Sequence, residues 1–294
     1  MAIASGICSS FLMRYICLHL YLCRIHWAFN RQRNCLMDQS IKDVRSRGRG
    51  EGLLVVQANQ LISSSQTLTL MEKRLVLLAA AKVDSRGTWP EGEDGVITIT
   101  AAEFAKQYAL KGGVAYEGLK AAAEKLFERK IRKIEQAGKR GKVRTDIRWV
   151  WQCTYIDQAA TVKLAFTPDM APFLSELNRE FTKFYLNNVK DLSSVYAIRL
   201  YELCSQYRKI GRRNMTLKEF REYMDLGESY EKIGNLRMRV LNPSIAGVCE
   251  HTDLVVKCID IKQGRSVVGF EFEIVEKDGG AARKKSEDVG EHGM

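Results

Sequence analysis

Two copies of one α+β unit, each a set of helices followed by a β-hairpin, are predicted here from three observations. The first is a repeated grammar: Thr216-Leu-Lys-Glu219-Phe220 matches Thr100-Ala-Ala-Glu103-Phe104 at an offset of 116 residues. Each match follows an Arg-Leu-x-x-Leu helix, at Arg74, Leu75 and Leu78 and again at Arg199, Leu200 and Leu203. A T-x-x-E start is common to many helices, but the same marks in the same order argue for duplication. The second observation is the order of periodic segments, three helical patterns and then alternating strands, which describes a winged helix. The third is charge: 46 lysines and arginines against 35 acidic residues leave +11, which suits a polyanionic partner. Nucleic acid is the first candidate for that partner and an acidic membrane surface the second. The predicted fold is therefore α+β, with two tandem winged-helix domains related by internal duplication.

Length permits this. A chain of 294 residues, 46% of them hydrophobic, can fill the cores of two domains of ~100 to 150 residues. Only four prolines argue against a fibrous chain, and no stretch reaches the ~18 uninterrupted apolar residues of a membrane span. Residues 1–36 stand apart, with four of the eight cysteines, Arg14, Arg24, Arg31 and Arg33, and no acidic residue. A signal peptide would need a cleaner apolar core, and a membrane-surface anchor is a further reading. The expectation is a dispensable extension of translated upstream sequence, with the natural start at Met37, where the composition turns polar. Without it the chain still carries +7, from 42 basic and 35 acidic residues. Residues 37–52 are read as a flexible segment.

The first domain is assigned to 53–178. It opens with an extended stretch at 55–62, then a helix over 70–83 whose start Thr69 and Glu72 mark as a capping box. A β-branched strand follows at 96–99. Thr100 and Glu103 repeat the capping box for a helix through Tyr108, and a third helix spans 115–129 with Leu119, Ala122, Leu126 and Phe127 inward. Strands at 130–136, 143–156 and 160–166 complete the unit. The hairpin between 130 and 148 carries eight basic side chains against two acidic ones, which suits phosphate contact through Lys139, Arg140, Lys142 and Arg144. The helix before it offers the mixed charges Glu117, Lys120, Glu124 and Lys125, a poor face for reading bases. Phosphate clamping and self-association are therefore assigned to this domain. A merely solvated hairpin is the competing reading.

The second domain is assigned to 179–276. Its hairpin pairs 254–261 with 266–275 through the turn 262–265, with Val256, Cys258 and Ile259 set against Phe270, Phe272 and Ile274. From Lys277 the glycine-rich, charged tail is expected to be disordered.

The stretch FTPDMAPFLSELNREFTKFYLNNVKDLSSVYAIRLYELCSQYR (166–208), then TLKEFREYMDL, then RVLNPSIAGVCEHTDLVV with KQGRSVVGFEFEI, resembles the iteron-binding replication initiator (Rep) proteins of theta-replicating plasmids. VVQANQLI and LTLMEKRLVLLAAA are similar to the opening of the same family. The resemblance runs from about Leu53 to Val275, and its most specific part is Tyr196-Ala-Ile-Arg199-Leu200-Tyr201-Glu202-Leu203. The first 36 residues have no counterpart in it. The resemblance implies binding of double-stranded DNA at origin repeats and at the chain's own operator, and origin opening with a host initiator and replicative helicase. It also implies a monomer–dimer equilibrium whose dimer represses its own promoter, and a bacterial cytoplasmic location with the nucleoid or plasmid. A winged-helix transcriptional repressor without initiator activity is the alternative.

Helix geometry nominates the readers. On a helix over 234–248, Asn235, Arg239 and Asn242 fall within one ~60° arc at 100° per residue, away from Leu236, Val240, Leu241, Ile245 and Val248. Arg pairs bidentately with guanine and Asn with adenine, each worth ~1–3 kcal/mol of discrimination. Arg237, beside the apolar face, and Lys232, ahead of the helix, are assigned to backbone phosphates, as are Lys262 and Arg265 in the second hairpin turn. The solvated side of an ordinary amphipathic helix is the competing reading. Pro243 either kinks this helix or lets a new one start with Asn242 as its cap.

No enzymatic activity is expected. The sequence has no GxxxxGK[ST] phosphate loop, and its four histidines form no His-x-His pair for a rolling-circle nickase. The cysteines show no CxxC spacing, so neither a metal site nor a disulfide framework is written, and no cofactor is implied.

Overall fold

The structure, a computed structural model, describes residues 52–90, 92–136 and 141–277. The expected extension 1–36, the segment 37–51, the tail 278–294 and the wing residues Lys139 and Arg140 lie outside the described residues. So does the side chain of Lys142.

The extended opening is shorter than its sequence suggests. Strand β1 (Leu54–Ala58) gives way to a helical turn, α1 (Asn59–Ile62), and to the two-residue strand β2 (Ser65–Gln66). Helix α2 (Leu70–Ala80) starts at the expected capping box: the Glu72 N–H donates to Thr69 Oγ1 at 3.4 Å, and the Thr69 N–H donates to Glu72 Oε2 at 3.0 Å. Strand β3 (Ile97–Thr100) feeds α3 (Ala101–Tyr108), where only half of the second box forms. Thr100 caps the Glu103 N–H at 3.1 Å, but the Glu103 carboxylate pairs with Lys82 instead. Helix α4 (Gly112–Leu126) buries Leu119, Ala122 and Leu126. Phe127 lies just past its end and is 38% exposed under the Arg148 guanidinium, so it is not part of the inner face.

The long strand expected over 143–156 is two strands serving two sheets. The chain runs β4 (Lys130–Gln136), β5 (Lys142–Arg148), β6 (Val150–Ile156) and β7 (Thr161–Phe166), with β5 on β4 and β6 on β7. Trp149 breaks the run because its indole is completely buried, and its backbone N–H donates to the Arg129 carbonyl. After the short helix α5 (Ala171–Leu174), β8 (Phe181–Tyr185), a segment that the sequence groups with the second unit, pairs antiparallel with β1 from Leu54↔Tyr185 to Ala58↔Phe181. A partner so distant in sequence leaves no local mark.

The second winged helix is built from α6 (Val195–Ser205), β9 (Arg212–Thr216), α7 (Leu217–Tyr223), α8 (Ile233–Leu236), α9 (Asn242–His251), β10 (Leu254–Gln263) and β11 (Ser266–Glu276). The duplication is visible in the core. Thr216 and Glu219 close a full capping box, and Phe220, like Phe104, is fully buried one turn later. The hairpin pairs Val256 with Ile274 and Cys258 with Phe272, so every second residue of β10 faces inward. Ile259 therefore points out opposite Glu271 and is 37% exposed, a correction to its expected core position.

Both winged helices lie within one compact unit, in which α2 and α6 are almost wholly buried. Each is buried nearly all round, which is why neither has a polar face to read from sequence. Their charged residues join the halves. Lys73 Nζ meets Glu202 Oε1 at 2.8 Å with neither side chain exposed, and Arg199 donates to Glu202 and to the carbonyls of Ile62 and Ser64. Burial pulls the Lys73 ammonium down to about 8, against the opposing pull of Glu202. Among the described residues no helix is long and apolar enough to cross a membrane.

Candidate nucleic-acid interface

The residues expected to read DNA sit on one continuous helical run, 233–251, that follows α7 and a tight connection. That connection is held by Arg221, whose guanidinium donates to the carbonyls of Gly227 (2.7 Å), Ser229 (2.6 Å) and Tyr230 (3.1 Å). Asp225, Gly227 and Tyr230 all take positive φ there, so the chain needs an external clamp to hold this path. Nothing in the sequence pattern singles out Arg221, because its partners are backbone oxygens.

Pro243 neither ends the helix nor makes Asn242 a cap. Asn242 has helical backbone angles, and α8 passes into α9 through a π-turn, Arg237–Leu241, in which the Asn242 N–H donates to the Arg237 carbonyl five residues back. The wider turn gives the proline ring room beside the Arg239 carbonyl that an α-helix would press against it. The face survives this shift: Asn235, Arg239 and Asn242 are exposed, while Leu236, Val240, Leu241 and Val248 are buried and Ile245 is partly so. Lys232, at the helix start, is exposed as well.

Arg237 behaves differently. It pairs with Asp260 of β10 and lies 5.6 Å above the Phe270 ring, beneath the helix rather than beside it. The strand alternation explains this, since Asp260 shares the inner face of β10 with Val256 and Cys258. The side chain is 30% exposed, so its ion pair with Asp260 competes with the phosphate contact expected of Arg237. Met238, unremarked in the sequence, is 58% exposed on the same side as Asn235 and Asn242. It stands four residues before Asn242, close to one turn away along the widened helix. Its apolar character alone hid it.

In the second hairpin the turn is tighter than the expected four residues. Gln263 pairs with Ser266, Gly264 takes φ 61°, and Lys262 and Arg265 stand exposed on either side. The first hairpin is less free than its composition suggests. Arg144 and Arg132 both donate to Asp146 at 3.1 Å, and Arg148 pairs with Glu128. Hydrogen bonds from Arg144 and then Arg132 hold the Asp146 carboxyl far below the usual carboxylate range. On α4, Lys120 is tied to Asp157 at 2.9 Å. The described cysteines are free, and burial raises each thiol, Cys204 to about 12. Among the described residues no group of three or more His, Cys, Asp or Glu could hold a metal ion.

A tandem winged-helix protein with a solvent-facing polar helix and basic hairpins is the class that this architecture defines. The chain belongs to the Initiator Replication protein family, whose first winged-helix domain matches residues 54–205 and whose second matches residues 216–274. A replication initiation protein of Escherichia coli is 23% identical over 227 residues, covering 76% of this chain and 69% of that one. An uncharacterized 27.6 kDa protein of Escherichia coli is 22% identical over 232 residues, covering 76% of this chain and 94% of that one. Among solved structures, the Pi initiator protein in complex with iteron DNA matches with a TM-score of 0.66 at 22% identity, over 77% of this chain and 98% of that one. That likeness establishes the shared fold.

Proposed function

We propose that this chain initiates plasmid replication by binding directly repeated double-stranded DNA, iterons, at an origin. The observation that carries the reading is the helical run 233–251, which presents Asn235, Arg239 and Asn242 to solvent in the second winged helix of an initiator-family chain. Such a helix fits the major groove, where Arg and Asn have guanine and adenine as bidentate partners. Lys262, Arg265 and Lys232 would then reach phosphates beside it. The first winged helix contributes further phosphate contacts through Arg144 and the tip of its hairpin, including Lys139, Arg140 and Lys142, and it provides the self-association of a dimer that represses its own promoter.

The chain acts by binding, without catalysis of its own and without a cofactor. The lack of a phosphate loop and of a His-x-His pair in the sequence supports this. Binding distorts the origin, and a host initiator and replicative helicase then enter the opened DNA in the cytoplasm. An origin-bearing plasmid that replicates only when this chain is supplied tests the proposal, together with a footprint over the DNA flanking its gene. Protection of directly repeated sequence is the expected result. Repression of the gene without plasmid maintenance would instead identify a transcriptional repressor.

A further inference from the structure

We infer that Met238 reads the 5-methyl group of a thymine, as a specificity-determining residue of the candidate interface. The inference rests on the reading above, in which the run 233–251 lies in the major groove. Every other large apolar side chain of that run turns inward: Leu236, Val240, Leu241 and Val248 are buried, and Ile233 and Ile245 pack against the core. Met238 alone stands out, 58% exposed, three residues after Asn235 and four before Asn242. Those spacings put it on one helical face with both. Its position follows from the backbone, because it occupies the π-turn that accommodates Pro243.

Chemistry then selects the ligand group. Asn235, Arg239 and Asn242 offer hydrogen bonds, suited to adenine and guanine edges. A methionine offers none of comparable strength. It is an unbranched, polarizable side chain that gains by covering apolar surface. In the major groove the thymine methyl is the apolar group that distinguishes one base from the others. An apolar residue at the edge of a polar reading face therefore complements a thymine there. A solitary exposed apolar residue is also ordinary on protein surfaces. The test must separate the two.

The probe is the duplex that the full chain selects from random DNA, with each thymine replaced in turn by deoxyuridine, which removes only the methyl. At one thymine the unaltered chain should lose about fourfold in affinity, the worth of one buried methyl group. Met238→Gln should bind the thymine and uracil duplexes alike at that position, while Met238→Leu should keep the preference. Unchanged thermal melting of both variants shows that they fold. The proposal is overturned if no thymine shows methyl dependence, or if Met238→Gln retains all of it. Arg239→Ala, run in parallel, separates the failures. If it relaxes base preference while Met238→Gln keeps full methyl dependence, the helix reads DNA and only the role of Met238 is wrong. If Arg239→Ala also keeps the original ranking of bases, the groove reading itself falls.

Discussion

The two winged helices share a fold and differ in what they do with their charged surface. In the first, four cations of the hairpin and α4 pair with neighbours, Arg132 and Arg144 with Asp146, Arg148 with Glu128 and Lys120 with Asp157, as Arg212 and Lys257 pair with Glu271 and Glu273 in the strands of the second. In the second, Asn235, Arg239, Asn242, Lys262 and Arg265 are exposed, and the one arginine of the helix that is engaged, Arg237, is turned under it toward Asp260. Groups already satisfied within the protein gain little from a base edge, whereas exposed donors must find a partner in water or in a ligand. The difference supports the proposal that the second unit reads bases while the first contacts phosphate.

The largest expected effect tests how the two units are joined. Glu202 is the only carboxylate bonded to both Lys73 and Arg199 among the described residues, so Glu202→Gln strands two buried cations. Breaking a buried ion pair costs ~3–5 kcal/mol, and denaturant unfolding should register a loss of that size. A loss near zero would mean that the two halves hold together without this seam.

The reading assignment is next in size. Arg239→Ala should weaken binding to the cognate repeat by ~1–3 kcal/mol and relax preference at one base position, as titration against single-base variants at fixed salt would reveal. Arg265→Ala should weaken all sequences about equally. Both side chains are exposed, so stability should move by less than ~0.5 kcal/mol in either variant.

The clamp has a different signature. Replacing Lys139, Arg140 and Lys142 with alanine should flatten the dependence of affinity on salt by about 0.9 in logarithmic slope for each phosphate contact removed, and leave base preference intact. An unchanged slope would return this hairpin to the status of a solvated loop. The smallest effect runs the other way. Asp146→Asn removes the carboxylate that holds Arg132 and Arg144, so affinity for any duplex should rise modestly at low salt and its salt slope should steepen. No gain would show that those arginines already face DNA while paired.

Much of this was written in local sequence. Thr69, Thr100 and Thr216 mark helix starts because a cap acts within three residues, and the alternation of 254–261 and 266–275 sets a hairpin because side chains in a strand alternate faces. The duplication, the basic surplus and the exposed arc of Asn235, Arg239 and Asn242 were legible too. The caps, the strand alternation and the arc depend on residues within a turn or a pleat of one another, and the duplication shows as the same local marks occurring twice.

Only tertiary structure could decide the rest. The pairing of β1 with β8, the switch of sheets at Trp149, the clamp of Arg221 on its connection and the capture of Arg237 by Asp260 all join groups whose affinity depends on where the chain brings them. Arg237 and Arg239 carry the same charge two residues apart, and composition treats them alike. A π-turn and the inner face of a strand send one beneath the helix and leave the other to solvent, because a charged side chain takes the nearest partner that the fold supplies.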